Sequence, residues 1–166
     1  MKTLALKVTV ASLLLATGSC FAAGALSVSR EVTVDNSSAT VWKLIGNFNA
    51  LDVWHPAVIK SELNGKGTKV GTRRLLTLGD GATILESLLT YNPAKATYSY
   101  SILKSPFPVA NYKSTITLTP VDEGHTLMKW TSTFDANGVS DEQATTLIGG
   151  IYDAGMAKVV ANFKKQ

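Results

Sequence analysis

From Leu26 to Val34 the chain alternates. Leu26, Val28, Arg30, Val32 and Val34 fall on one side, and Ser27, Ser29, Glu31 and Thr33 on the other. A period of two predicts a first strand. Asp35-Asn36-Ser37-Ser38 then supplies a turn and a helix N-cap. Past it the period lengthens: Ala39, Trp42, Ile45 and Gly46 share one helical face, and Asn47 and Asn49 mark the break to a second short helix near 50–53. Pro56 forces an extended backbone at His55. Strands are then expected at regular spacing, near 58–63, 72–78, 83–91, 96–103, 111–119 and 126–134, separated by turn signals such as Asn64-Gly65, Gly79-Asp80-Gly81 and Asn92-Pro93. The stretch at 111–119 alternates most clearly, with Tyr112, Ser114, Ile116 and Leu118 against Lys113, Thr115, Thr117 and Thr119.

The final segment reads as one long helix. Ser140 is the N-cap, Gln143 completes a capping box, and Asp141 and Glu142 complement the helix dipole. Leu147, Ile148, Ile151, Gly155, Val159 and Phe163 form an apolar stripe at 3.6 spacing. The order of elements predicts an α+β fold. One curved, seven-stranded antiparallel sheet surrounds a long C-terminal helix, with two short helices after the first strand.

The N-terminus changes the picture of where the chain works. Lys2 and Lys7 precede an apolar run from Val8 to Ala16, followed by small residues through Cys20-Phe21-Ala22-Ala23. This predicts a signal peptide over residues 1–22, with cleavage after Ala22 and residues 23–166 as one mature domain. The run is too short for a membrane span, which needs ~20 residues, so no span is expected in the mature form. The rival reading is a lipoprotein signal with Cys20 lipidated. That usually wants Leu three residues earlier, where this chain has Thr17. The expected location is a bacterial periplasm. Cleavage removes the one cysteine, and with it any disulfide or thiol chemistry. It also removes Lys2 and Lys7 from a chain of net charge +4. The remaining basic residues form no stripe, so nucleic acid is not an expected partner.

Candidate chemistry is sparse. His55 and His125 are the two histidines. They stand far apart with no acidic cluster at metal spacing, so neither a metal nor a cofactor is expected. His55 reads either as a ligand contact or base, or as a corner residue satisfied by backbone; His125 reads as solvated in a hairpin turn. Glu86 lies between Ile84 and Leu88 on one strand face. A charge with apolar neighbours at i±2 is a cavity residue or half of an ion pair. Arg73 or Arg74 can be its partner, and alternation lets only one face inward. Tyr112 alternating with Ser114 puts two polar groups inward, which favours a partly polar cavity over a solid core. Tyr98, Tyr100, Trp130 and Phe134 add aromatic positions on strands, the last two read as packing. Tyr152 and Gly155 on the long helix are placed on the opposite wall. Gly149-Gly150 costs about 2 kcal/mol of helix propensity against Ala-Ala, which points to close helix–sheet contact or a flexible point.

Several segments taken in order carry a family resemblance. They are Trp54-His55-Pro56, Gly71-Thr72-Arg73-Arg74, Gly81-Ala82-Thr83-Ile84-Leu85-Glu86, Tyr98-Ser99-Tyr100, Pro106-Phe107-Pro108-Val109, Asn111-Tyr112-Lys113-Ser114 and Trp130. Together they resemble the polyketide cyclase/dehydrase and lipid-transport family of the START/Bet v 1-like (SRPBCC) superfamily, and within it MxaD-like periplasmic proteins. The resemblance implies a helix-grip fold with an apolar cavity between sheet and helix. The chain also resembles the plant abscisic-acid receptors, whose cavity Lys and Glu match Lys60 and Glu86. Leu78-Gly79-Asp80-Gly81 then stands at the gate and Pro106-Phe107-Pro108-Val109 at the latch. The gate's Pro and the latch's polar residues are missing, so only a lidded cavity is carried over, not hormone recognition.

The expected ligand-binding set is therefore Lys60, Glu86, Tyr100, Tyr112, Ser114, Phe107, Tyr152 and His55. The expected function is binding or carrying a small hydrophobic ligand with one polar or acidic group. An enzyme using Glu86, Tyr112 or His55 as acid/base is one alternative. An accessory protein docking on a periplasmic dehydrogenase or cytochrome, as in the MxaD-like proteins, is the other.

Overall fold

In the computed structural model, which describes residues 26–164, the elements run β1 (Leu26–Val34), α1 (Ser38–Ile45), α2 (Leu51–Trp54), β2 (Val58–Leu63), β3 (Arg73–Leu78) and β4 (Thr83–Asn92). A single 3-10 turn (Pro93–Lys95) leads to β5 (Thr97–Lys104), β6 (Val109–Pro120), β7 (Thr126–Ala136) and α3 (Asp141–Phe163). The expected signal segment lies outside the described residues. All seven strands join one antiparallel sheet in the order β1-β7-β6-β5-β4-β3-β2. Each hairpin neighbour in sequence is a neighbour in space. The exception is β1, which crosses the two short helices and pairs with β7, Leu26 opposite Phe134.

Local chemistry explains the ends of the helices. Ser37 accepts from the Thr40 amide at the start of α1. Ser140 and Gln143 form the full capping box of α3, each side chain satisfying a backbone N–H that helix geometry leaves free. The strands hold their expected places within one or two residues, and β6 and β7 are longer than expected. The extension crosses a bulge between Ala110 and Lys113. There Asn111 takes a positive φ of 54°, and its amide donates to Asp135 Oδ2 at 2.7 Å.

The core lies between the concave face of the sheet and α3. Val28, Leu76, Ile84, Leu88, Ile116, Leu118 and Met128 supply its aliphatic part from the strands. The buried side of α3 is Ala144, Ile148, Gly149, Tyr152, Gly155, Met156 and Val159. This corrects the expected stripe, which included Leu147, Ile151 and Phe163. The helix is rotated toward Tyr152 and Met156, leaving Leu147 exposed and Ile151 and Phe163 half-buried. The rotation is favoured because the Tyr152 hydroxyl finds polar partners on the sheet. Gly155 allows the close approach: a Cβ there would stand 2.6 Å from His55 Cδ2 and 3.0 Å from Trp130 Cζ3.

Candidate functional site

The residues of the inner face do not close up completely. A cavity of about 160 Å³ remains between β2–β7 and the N-terminal half of α3. Leu51, Val58, Leu76, Leu78, Ile84, Ile148 and Ile151 give it apolar walls. Trp130, Tyr100, Tyr112, Tyr152, His55 and Glu86 bring the polar atoms, and Phe107 and Leu147 stand at the rim. A wider, open groove of about 650 Å³ lies along Ser101, Lys104, Asn111, Lys113 and Asn137. Its walls mix polar and apolar groups. The smaller, far more apolar cavity with a few convergent polar groups is the physically reasonable ligand site.

Glu86 is 3% exposed and Arg74 1%. They are cross-strand partners on β4 and β3. Arg74 Nη2 lies 2.6 Å from Glu86 Oε2, and Nε donates to the same oxygen at 2.7 Å. Arg74 Nη1 donates to the Phe48 carbonyl, and the guanidinium lies 4.0 Å above the Phe48 ring and 5.5 Å from the Tyr100 ring. Of the two candidate arginines, Arg74 is therefore the inward one, and Arg73 is exposed. Burial pushes the Glu86 carboxyl up, and Arg74 pulls it back only in part. Burial also opposes the Arg74 charge, but Glu86 and the neighbouring tyrosines outweigh it and hold the guanidinium above its usual value.

A second polar set forms the wall nearest α3. Ser114 Oγ donates to the Thr131 carbonyl at 2.8 Å. With its proton committed, Ser114 accepts from Trp130 Nε1 at 2.9 Å and from the Tyr152 hydroxyl at 3.1 Å. Tyr152 in turn accepts from the Tyr112 hydroxyl. Trp130 Nε1 also reaches the Tyr100 hydroxyl at 3.1 Å, and the Trp130 and Tyr152 rings stack at 4.2 Å. Burial raises the pKa of Tyr98 to about 12 and pushes Tyr100, Tyr112 and Tyr152 above the ordinary phenol value. These phenols stay protonated at neutral pH and act as hydrogen-bonding groups, not bases.

His55 closes the corner between α2 and α3. Its Nδ1 accepts from the Ala57 amide at 3.2 Å, which assigns the proton to Nε2, and Nε2 donates to the Ile151 carbonyl at 3.0 Å. Burial lowers its pKa below 6.5; the Ile151 carbonyl acts against the shift, and Arg74 adds to it. Both ring nitrogens are occupied by backbone, so the ring presents an apolar edge to the cavity.

Six of the eight expected site residues line the cavity: His55, Glu86, Tyr100, Phe107, Tyr112 and Tyr152. Ser114 sits behind the wall, bonded to Tyr152. Lys60 is not at the cavity. It points to solvent with 60% of its side chain exposed and pairs with Glu62 at 3.0 Å. The reason is a bulge between Val58 and Lys60, which turns both Ile59 and Lys60 outward and brings Ser61 in. Strict alternation from Val58 gives the opposite result. Trp130, Leu147 and Ile151 line the site and were not in the expected set; Arg74, one of the two arginines expected to pair with Glu86, is the one that does. For Arg74 the signal was present, since it follows Arg73 on a strand opposite Glu86. His125 sits in the β6–β7 turn, bound to Asp122 at 2.8 Å.

Residues 25–164 match the family described as polyketide cyclase/dehydrase and lipid transport. A solved structure of the protein XoxI from Bacillus cereus is 37% identical over 82% of this chain and 94% of its own, with a TM-score of 0.78. An uncharacterised protein from Bacillus thuringiensis is also 37% identical, over 83% of this chain and 98% of its own, with a TM-score of 0.79. The Zhui aromatase/cyclase from Streptomyces sp. R1128 shares the fold at 17% identity, 82% and 89% coverage and a TM-score of 0.66. No curated protein matches the chain. On this match the chain belongs to the polyketide cyclase/dehydrase and lipid-transport family, and its architecture is a helix-grip fold.

Proposed function

We propose that this protein is a periplasmic binding or carrier protein for a small hydrophobic ligand held between the sheet and α3. The observation that carries the reading is the apolar cavity of about 160 Å³ with Glu86 in its wall. The signal-like segment at residues 1–22 supports the periplasmic setting. Binding is favoured over cyclase or dehydratase catalysis by the state of the polar groups. His55 has both nitrogens taken by backbone, and the tyrosines are held protonated. Glu86 has one oxygen committed to Arg74. A general base needs a free lone pair within reach of the proton it takes; His55 has none, the phenols are weak bases, and Glu86 alone of the candidate groups keeps a carboxylate oxygen free.

Native mass spectrometry of the protein from the periplasm of its host, with extraction of small molecules in parallel, tests the reading. The expected result is a co-purifying hydrophobic compound at near-stoichiometric amount. An empty protein that instead carries a stoichiometric protein partner overturns it in favour of the MxaD-like accessory role.

A further inference from the structure

The polar wall of the cavity is more selective than its apolar character implies. Both short contacts from Arg74 converge on Glu86 Oε2. Oε1 accepts no hydrogen bond from any described residue, and it is not among the fully enclosed atoms left without a partner. Glu86 lines the cavity, and Oε1 is the carboxyl oxygen that Arg74 leaves unengaged. A nine-tenths-buried carboxylate oxygen without a partner is a strong acceptor waiting for a donor.

Among the described residues, no lysine or arginine lines the cavity. Arg74 spends Nε and Nη2 on Glu86 and Nη1 on the Phe48 carbonyl, with its faces against Phe48 and Tyr100. Lys60 is outside. A carboxylate ligand would meet a carboxylate wall at low dielectric, which is costly. Size is limited as well. An apolar cavity of about 150 Å³ admits a benzene-sized guest, and this one is of the same order.

We infer that the cavity selects a neutral, single-ring or comparably small apolar molecule carrying one hydrogen-bond donor, of the phenol or alcohol class, whose hydroxyl donates to Glu86 Oε1, and that it rejects carboxylic acids. This rests on the ligand-binding reading and narrows it: the polar group of the ligand is a donor, not an acid.

The test is a calorimetric titration of the protein at neutral pH with p-cresol, toluene and p-toluate. These share a ring and differ in the polar group. A hydrogen bond to a charged acceptor predicts that p-cresol binds roughly tenfold to a hundredfold tighter than toluene. p-Toluate is expected to bind more weakly than either. The Glu86→Gln variant is expected to narrow the cresol-to-toluene ratio. Should that variant fail to fold, the three-ligand series on the unaltered protein decides alone. Equal affinity for cresol and toluene, or tightest binding of toluate, overturns the donor inference and leaves the cavity as a binding site. Failure of all three, toluene included, overturns the ligand-binding reading and this inference with it.

Discussion

Arg74 is fully enclosed, and its polar contacts include Glu86 and the Phe48 carbonyl. Such a pair is worth little net stability against well-packed apolar residues, but removing one partner strands the other charge. Arg74→Leu alone is expected to lower the unfolding free energy by about 3–5 kcal/mol, whereas Arg74→Leu with Glu86→Met loses much less. Equilibrium urea unfolding of the two variants checks this; equal losses would show that the cost lies in packing. His55 sets a pH dependence of its own. Burial lowers its pKa, so the folded state takes up a proton less readily than the unfolded chain. Its contribution is whole above pH 6.5 and is lost as pH falls through the folded value. The raised Glu86 acts in the opposite sense, its contribution being present at low pH and lost as pH rises. Subtracting the unfolding free energy of His55→Gln from that of the unaltered protein isolates the histidine. The difference is expected to shrink between pH ~7 and ~5; a constant difference would show that His55 does not titrate differently on folding.

At the scale of elements, α3 is shaped by its glycines in three different ways. Gly155 admits His55 and Trp130 to the helix surface, and Gly149 leaves room for the Arg30 guanidinium, whose Nε bonds Asp153 at 2.9 Å. Gly150 faces open space. The close-contact reading of the Gly149-Gly150 pair is therefore right for the first residue and has no bearing on the second. Gly150→Ala is expected to stabilise by about 1 kcal/mol through helix propensity. Gly155→Ala is expected to destabilise by about 1–3 kcal/mol, because His55 and Trp130 must shift against backbone-anchored neighbours. Thermal unfolding of both variants checks the pair, and a stabilised Gly155→Ala would mean that α3 sits farther from the sheet. Strand β2 shows the other way an element departs from its pattern. Its bulge reverses which side chains face in, so Lys60 leaves the cavity and Ser61 enters the core, bonding Asn49 at 2.9 Å.

For the whole molecule, the cavity exists because a curved sheet and a straight helix cannot meet everywhere, and its mouth is finished by the β5–β6 loop. Phe107 from that loop lines the cavity beside Leu147 and Ile151 of α3. Phe107→Ala is expected to enlarge the space and admit a two-ring guest such as 2-naphthol, with affinity gained by roughly tenfold over the unaltered protein. Titration with 2-naphthol measures it, and no gain would place the size limit deeper, at Trp130 and Tyr152. Much of this architecture was legible along the chain. The alternation of β1 and β6, the caps at Ser37 and Ser140, and the turn residues between strands are local signals. Each depends on residues within a few positions of one another, so each survives into the structure. The inward pairing of Tyr112 with Ser114 was readable for the same reason. The rest was decided between residues far apart in sequence. The β2 bulge depends on how β2 registers against β3, the rotation of α3 on Tyr152 meeting Tyr112 and Ser114 across the fold, and the choice of Arg74 over Arg73 on a strand pairing. The order and type of the elements, and the inward faces of β1 and β6, follow from the chain alone, because periodicity and capping act over one or two turns. The faces of β2 and α3, the cavity's volume, the partner of Glu86 and the oxygen left free are set by long-range contacts that no local pattern encodes.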